Sequence, residues 1–433
     1  MKHGKSATRG DDVTSGAHGV NRVEMTGMQM HWSDHATVDR RQWLRQASAA
    51  GFSLAFASGC SRPAVEETVK ITKASLRFPG KLVMRVINDR PPCLETPWSY
   101  YQRDLTPNEA FYVRWHLQLI PTKVDSRTWR LRIGGHVERP RSFSMDDLRR
   151  MEPTSLIAVN QCSGNSRELF QPRIPGAQWG NGAMGNARWV GVPLRHLLSK
   201  AGVKSQAVDV SFLGLDRGGL PTIPDFVKSL PIDKALQPEI LVAYEMNGEP
   251  LPMLNGFPVR LVVPGWYATS WLKSLTDITV LPQHFEGFWM SKAYRIPTTP
   301  NAEETPESLA DQTTPIERMN VRSFFTGPVP EARVAVGQPC QLEGIAFDGG
   351  DGIQRVEVSV DGGSNWREAT LGDDLGQFSF RRWRMPWHPE TSGMHRLQVR
   401  ASNRAGETQP SKAGWNRAGY MRNLIEELSI NAS

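Results

Sequence analysis

Short runs of alternating apolar and polar residues recur through positions 61–315 of the chain. They predict β-strands at Phe111–Leu119, Trp129–Ile133 and Val259–Val263. Helical patterns are fewer and cover Ser144–Arg150 and Pro193–Ala201, where a proline opens the helix. Because strands and helices do not follow one another as regular βαβ units, the pattern predicts an α+β domain over residues 61–315.

A polar, proline-rich stretch from Pro297 to Pro315 predicts a linker or a connector that follows the surface. Beyond it, alternating strands separated by turns are predicted at Val356–Val360, Phe378–Trp383 and His395–Ala401. Short strands at this spacing are typical of an all-β sandwich of immunoglobulin-like type. We therefore expect a second domain over residues 316–433.

The N-terminal region carries a pattern typical of protein export. Arg40 and Arg41 precede a weakly apolar stretch, Ala47–Gly59, that is too short to span a bilayer. This predicts a twin-arginine signal region over residues 1–60 and a periplasmic location, with an amphipathic surface helix as the alternative. Cys60 closes the stretch, which leaves a lipid anchor at Cys60 and simple cleavage both open. The chain has no run of 18 apolar residues, so we expect no transmembrane span.

Composition removes several classes of function. The 433 residues include four cysteines, at positions 60, 93, 162 and 340, and this spacing offers neither a zinc cluster nor a CxxCH haem site. The net charge of +7 is modest, and no basic run is interleaved with aromatic residues, so we expect no nucleic-acid partner. A small positive excess fits a domain that attracts a small anion.

The segment Val159–Val192 is the most informative part of the chain. Cys162 follows an apolar run and opens a loop rich in Gly, Asn and Ser, a setting in which a side chain is exposed to a ligand. A thiolate there is a soft metal ligand or a reactive group, and a buried structural cysteine is the alternative. Arg167 follows five positions later and would add positive charge to the same place.

Several ordered motifs identify a family. QCSGNSR (from Gln161), FYVRWH (from Phe111), AYEMNGEPLP (from Ala243) and GFPVRLVVPGWYATSWLKSL (from Gly256) resemble the sulfite oxidase family of molybdenum–molybdopterin enzymes, and the bacterial sulfite dehydrogenases in particular. The resemblance implies an α+β molybdopterin-binding domain of the sulfite oxidase fold, followed by an immunoglobulin-like dimerisation domain. It also implies a Mo-molybdopterin cofactor.

The resemblance further implies the oxidation of sulfite to sulfate by oxygen-atom transfer. The electrons would pass singly to an external carrier such as a c-type cytochrome, and the protein would form a homodimer or a heterodimer with a cytochrome subunit. Two alternatives stay open: another enzyme of this fold that reduces nitrate or a sulfoxide, and a non-catalytic exported binding protein.

By the same resemblance, Cys162 would be the protein ligand to molybdenum, and Arg114, Arg167 and Tyr294 would hold the substrate. Guanidinium groups suit an oxyanion because they present several fixed donors. The residues expected to bind the cofactor are Arg114, His116, Cys162, Asp216, Asn255, Arg260, Thr269, Ser270 and Lys273.

The chain departs from the family pattern at two positions. Asn255 stands where many members have a histidine, and Ala418 stands where vertebrate and plant relatives have an arginine in WN-x-R-G. If the segment were helical, Arg422 would share a face with Ala418 and could supply the missing guanidinium. We therefore include Arg422 among the catalytic candidates, as a hypothesis.

Overall fold

A computed structural model describes residues 77–329, 332–412 and 414–433. The predicted signal region, with Arg40, Arg41 and Cys60, lies outside the described residues. Within the described ranges, no helix combines the length and the apolar character that crossing a membrane requires. Strands dominate the architecture, and the helices are short.

The first part of the fold is a mixture of strands and short helices. Its strands are β1 (Arg85–Asn88), β2 (Cys93–Glu95), β3 (Val113–Arg114), β4 (Leu131–Gly135), β5 (Arg141–Phe143), β6 (Thr154–Gln161), β7 (Met184–Pro193), β8 (Asp209–Gly214), β9 (Val227–Pro231), β10 (Leu241–Met246), β11 (Glu249–Pro250), β12 (Arg260–Val262), β13 (Leu275–Leu281), β14 (Arg295–Pro297) and β15 (Thr313–Pro315). Its α-helices are α1 (Met145–Arg150), α2 (Leu194–Ala201), α3 (Ile232–Ala235) and α4 (Phe288–Ser291).

Two five-stranded sheets form the body of this part. One has the order β11–β10–β7–β6, with β12 also paired to β10, and the other has the order β5–β4–β13–β8–β9. Only β4 and β13 pair in parallel within these sheets; the other described pairs are antiparallel. A smaller sheet has the order β1–β2–β3. This arrangement confirms the predicted α+β domain.

Local sequence explains both predicted helices. Ser144 caps α1, because its hydroxyl accepts from the Asp147 amide while the Asp147 carboxylate accepts from the Ser144 amide. The apolar side chains of α2 (Leu194, Leu197 and Leu198) face the core on one stripe.

The predicted strand Phe111–Leu119 is only partly formed. Two of its residues, Val113–Arg114, are β3, and the rest leaves the sheet, with Leu119 forming an isolated bridge to Arg217. The alternation there reflects a different cause: Trp115 and Leu117 are buried, whereas Arg114 and His116 line a cavity.

The second part is an all-β sandwich, as predicted. Its strands are β16 (Arg322–Gly327), β17 (Arg333–Val334), β18 (Cys340–Phe347), β19 (Ile353–Ser359), β20 (Arg367–Glu368), β21 (Thr370–Leu371), β22 (Arg381–Trp387), β23 (Gly393–Asn403) and β24 (Glu426–Ala432). They form two sheets, β16–β18–β22–β21 and β17–β24–β23–β19–β20. Buried aromatic and aliphatic side chains fill the space between the sheets, including Phe325 and Trp383, whose ring centroids lie 5.5 Å apart.

The two parts contact each other through buried groups near the Cys162 loop. Arg322, whose side chain is 1% exposed, donates from Nη2 to Ser166 Oγ at 2.6 Å, Asn181 Oδ1 at 2.8 Å and Glu426 Oε1 at 2.7 Å. An ion pair holds the Pro297–Pro315 connector in place: the buried carboxylate of Glu304 lies 2.6 Å from the guanidinium of Arg417. The Cys162 loop is therefore supported from the sandwich as well as from its own sheet.

Candidate functional site

Cys162 stands at the inner end of β6, where the strand passes from half-buried to fully buried residues. Its amide donates to Ala183 O at 2.9 Å, and its carbonyl accepts from the Asn165 amide at 3.0 Å, so backbone bonds fix the loop on both sides. The Cys162 side chain is buried and lines a cavity. The strand end thus presents one thiol to this cavity.

Close packing beneath this strand end requires a glycine. Gly185 pairs with Asn160 across the β6–β7 ladder, and a Cβ at 185 would lie 2.5 Å from the Phe111 ring. Phe111 in turn stacks on Tyr112, whose hydroxyl donates to Asn160 Oδ1 at 2.6 Å. The FYVRWH segment is therefore held against β6, and this brings its polar residues to the cysteine.

A cavity lies beside Cys162. It contains eight of the predicted site residues, which come from five separate stretches of the chain. They are Arg114, His116, Cys162, Asn255, Arg260, Thr269, Lys273 and Tyr294. The structure adds Tyr112, Asn160 and Ser163, which sequence reasoning did not select, although each lies within or directly beside a quoted motif.

Four predicted residues do not line this cavity. Asp216 and Ser270 are buried outside it. Burial raises the pKa of Asp216, and the charge of Lys273 partly opposes this rise. Arg167 is buried behind the loop and donates to Ala418 O and Ala177 O, each at 3.1 Å.

The hypothesis for Arg422 is wrong. No helix forms over residues 414–425, because Gly419 and Met421 adopt left-handed conformations with φ of 61° and 59°. Arg422 instead pairs with Glu426 at 2.6 Å and lines a different cavity. It therefore does not supply a guanidinium at the cysteine.

The buried charges of the cavity are predominantly positive. Burial is the main cause that lowers the pKa of Lys273 to about 7 and that of Arg260 to about 10, with Arg260 also acting on Lys273. Burial and the charge of Arg114 hold the pKa of His116 well below its ordinary value, so its ring is neutral and stacks on Phe226 at 3.7 Å. A bound anion would relieve these costs because it would stabilise the charged forms.

Arg114 and Tyr294 meet at the wall of the cavity, with Arg114 Nη2 3.4 Å from the Tyr294 hydroxyl. Burial acts to lower the pKa of Arg114, but interactions with Tyr294, Cys93 and Cys162 raise it by a larger amount. The pKa therefore lies above its ordinary value, and the guanidinium stays charged. Burial raises the pKa of Tyr294, which keeps its hydroxyl protonated and able to donate. Tyr294 has φ of 55°, an unusual conformation for a bulky residue and one found at functional sites.

Cys93, to which the sequence assigned no role, lies beside Arg114. The two residues are partners across β2 and β3, and Arg114 Nη1 is 3.8 Å from Cys93 Sγ. Burial raises the pKa of the Cys93 thiol, which favours the neutral form. Cys93, Cys162 and Cys340 are all free thiols.

The residues present fit an anionic, heterocyclic cofactor. Four polar atoms at the cavity wall are buried without a hydrogen-bond partner: Asn160 Nδ2, Ser163 Oγ, Arg260 Nε and Thr269 Oγ1. Buried polar atoms are rarely left unpaired, so this set indicates a ligand. Arg260 and Lys273 supply positive charge for a phosphate, and Cys162 supplies a soft donor for a metal. Within the described ranges, no three His, Cys, Asp or Glu side chains gather as a metal site.

Comparison with known proteins agrees with this chemistry. Residues 116–289 match the oxidoreductase molybdopterin binding domain, and residues 313–432 match the Mo-co oxidoreductase dimerisation domain. The sandwich predicted at 316–433 and the second match cover nearly the same residues.

Individual relatives align over most of the chain. Mitochondrial sulfite oxidase of Homo sapiens is 32% identical over 390 residues, which cover 86% of this chain and 69% of that protein. Sulfite oxidase of Gallus gallus is 34% identical and covers 80% of this chain and 76% of that protein. The NADH nitrate reductase of Solanum lycopersicum is 31% identical over 81% of this chain, but the match covers only 41% of that larger protein.

A solved structure shares the fold. The sulfane dehydrogenase SoxCD of Paracoccus pantotrophus superposes with a TM-score of 0.69 at 27% identity, over 79% of this chain and 85% of that one. Together with the matches above, it supports Mo-molybdopterin as the cofactor. The chain belongs to the sulfite oxidase family of molybdopterin oxidoreductases.

Proposed function

We propose that this molybdenum oxidoreductase converts sulfite and water to sulfate, two electrons and two protons. The observation that carries the proposal is the buried positive cavity in which Arg114 and Tyr294 stand beside Cys162. A small oxyanion would be drawn there because the cavity holds more cationic than anionic groups, and burial strengthens their effect. The identity to sulfite oxidases favours sulfite among small oxyanions.

Residues of the chain would divide into two groups around the cofactor. Arg260, Lys273, Thr269 and Asn160 would bind its phosphate and ring, because Arg260 Nε, Thr269 Oγ1 and Asn160 Nδ2 lack partners and Lys273 adds positive charge to the cavity. Cys162 would bind the metal through its thiolate. When bound, the cofactor supplies two-electron redox chemistry and the transfer of an oxygen atom.

Arg114 and Tyr294 would act on the substrate. The charged Arg114 guanidinium would orient the anion through paired hydrogen bonds and stabilise the negative charge on its oxygens. The Tyr294 hydroxyl, held protonated by burial, would donate a further hydrogen bond to the same anion. His116 is neutral and packed against Phe226, so it would line the site without adding charge.

Asn255 stands where many relatives have a histidine, and its amide is engaged within the protein. Its Oδ1 accepts from the Lys81 ammonium at 2.6 Å, and its Nδ2 donates to Tyr112 O at 3.1 Å. Both ends of the amide are therefore used within the protein. We propose that Asn255 shapes the cavity wall and contributes less to the cofactor than the other residues named for it.

The experiment uses protein produced with an intact supply of the molybdenum cofactor. We expect stoichiometric molybdenum by elemental analysis and sulfite-dependent reduction of ferricyanide or cytochrome c. The Cys162→Ser variant should lose the activity and most of the metal, because a hydroxyl is a poorer ligand than a thiolate. Cys340→Ser, which changes a thiol in the sandwich, is the matched control and should keep both.

The same preparation tests the alternatives. Nitrate-dependent oxidation of a reduced dye, with no turnover of sulfite, would replace the proposal with nitrate reduction. A sulfoxide tested in the same assay would identify the other reductive activity. Folded protein without molybdenum would contradict the enzymatic proposal and favour a binding protein.

Electron acceptor, assembly and location follow as proposals of the same kind. We propose single-electron transfer to a c-type cytochrome in the periplasm, and a homodimer or a heterodimer with a cytochrome subunit. The match of residues 313–432 to a dimerisation domain supports the assembly. Light scattering of the purified protein, which gives the mass of the complex, tests it.

A further inference from the structure

Tyr420 lies where the chain returns from the sandwich to the Cys162 loop. The Met421 amide donates to Ser163 O at 2.8 Å, directly after the cysteine. Asn416, which is 2% exposed, binds both backbone groups of Tyr420: its Oδ1 accepts from the amide at 3.0 Å and its Nδ2 donates to the carbonyl at 2.9 Å. The position of residue 420 is thus fixed from both sides.

The Tyr420 ring contacts two residues expected to hold the substrate. It stacks on Tyr294, with ring centroids 5.5 Å apart and an angle of 20° between the planes. The Arg167 guanidinium carbon lies 5.1 Å from the centroid of the same ring. Both geometries are attractive, one between aromatic faces and the other between a cation and a π system.

The same segment packs against the aliphatic part of the Arg167 side chain. Gly419 has φ of 61°, and a Cβ at this position would lie 2.9 Å from Arg167 Cγ, so only glycine allows the approach. Arg167 Nε donates to Ala418 O at 3.1 Å. The described partners of Arg167 are the Ala418 and Ala177 carbonyls and the Tyr420 side chain, so among the described residues no carboxylate pairs with its guanidinium.

We propose that Tyr420 is a positioning residue for the substrate anion: its ring holds Tyr294, which lines the cavity, and Arg167, which packs directly behind the Cys162 loop. The inference rests on the function proposed above. With Ala418 in place of the arginine, the chain has one guanidinium fewer, and the aromatic ring orders the groups that remain. Tyr420 acts through its two neighbours, so its loss should weaken anion binding more than it slows turnover.

Steady-state kinetics of the cofactor-loaded protein test the inference. Tyr420→Leu removes the stack and the cation–π contact, and we expect the KM for sulfite to rise about tenfold while kcat falls less than about threefold. Tyr420→Phe keeps the ring and should stay within about twofold of the wild type in both constants. If Tyr420→Leu does not fold, Tyr420→Met, of similar length, takes its place.

A tyrosine–arginine pair elsewhere in the chain provides the matched control. The Arg103 guanidinium carbon lies 5.1 Å from the Tyr100 ring centroid, the same separation as in the proposed pair. Tyr100→Leu should leave the KM for sulfite unchanged. An equal rise in both leucine variants would assign the effect to general destabilisation and overturn the inference.

Calorimetric binding of sulfate supplies a readout that needs no turnover. We expect the Kd for sulfate to rise about tenfold in Tyr420→Leu and to change less than about twofold in Tyr420→Phe. A wild-type protein that binds sulfate in this pattern but does not oxidise sulfite would overturn the proposed function alone. Active wild type with unchanged KM and Kd in Tyr420→Leu would overturn the inference alone, as would an equal loss in the phenylalanine variant. A wild-type protein that neither binds sulfate nor oxidises sulfite would overturn both.

Discussion

Lys273 should make the stability of the cofactor-free protein depend on pH above neutrality. Burial, together with the charge of Arg260, lowers the pKa of its ammonium to about 7 from an ordinary value of 10.5. Between these two values the unfolded chain binds more protons at Lys273 than the folded protein does. The free energy of unfolding therefore rises with pH from 7 toward 10.5. Below pH 7 Lys273 is charged in both states, and the full cost of burying its charge destabilises the folded protein.

The size of the effect follows from the shift. One proton contributes about 1.36 kcal/mol per pH unit, which gives about 2.3 kcal/mol between pH 7 and pH 9, since the folded state is still half protonated at pH 7. Solvent reaches part of the Lys273 side chain, so we reduce this to about 1–2 kcal/mol. In the cofactor-loaded protein, a phosphate next to Lys273 would raise its pKa again, and the dependence on pH should shrink.

Urea unfolding of cofactor-free protein at pH 7, 8 and 9 measures the prediction. The wild type should gain about 1–2 kcal/mol more over this range than Lys273→Met, which has no group to titrate. Lys81 and Lys228, whose pKa values burial also lowers to about 7, contribute equally to both proteins and cancel in the difference. Lys200→Met, at an exposed position of α2, should follow the wild type. Parallel curves for the wild type and Lys273→Met would refute the reasoning.

Two further predictions concern the contacts that support the site. Arg322→Met should lower the free energy of unfolding by about 3 kcal/mol, because it breaks a buried pair with Glu426. The control Arg396→Met breaks an exposed pair and should lower it by less than about 1 kcal/mol. Similar decreases for both variants in chemical denaturation would contradict the role of burial. Hydrogen bonds from Arg417 lower the pKa of Glu304 to about 2, so this stabilisation is complete above pH 4.5 and is lost as pH falls toward 2. Acid unfolding should therefore cost the wild type about 2 kcal/mol more than Glu304→Gln, after allowance for solvent around Arg417, and equal losses would exclude the pair as the cause.

Local patterns were sufficient for much of the fold. The helices at 145–150 and 194–201 formed where capping and apolar spacing predicted them, and the strands of the sandwich formed where the alternation is regular. The strand predicted at Phe111–Leu119 shows the limit of this reasoning. Its alternating polar residues face a cavity rather than a second side of a sheet, and a period of two does not distinguish these cases.

The error at Arg422 has a physical cause. The hypothesis assumed that four residues make one helical turn, but the segment follows contacts with the Cys162 loop instead, such as the bond from Met421 to Ser163 O. Those contacts impose a left-handed conformation on Met421, which the local sequence does not predict. The sequence did not identify Tyr420 as a site residue for the same reason, because its spatial neighbours Arg167 and Tyr294 are distant along the chain.

The sequence by itself determined which chemical groups are available and in what order. The spacing of the four cysteines excluded a zinc cluster and a CxxCH haem site, and the ordered motifs, QCSGNSR among them, implied the cofactor class through their resemblance to a family. Only the tertiary structure decided which groups share the cavity and which polar atoms lack partners. Burial and electrostatic interaction depend on distances in space, and the chain brings Arg167 and Ala418 together across 251 positions.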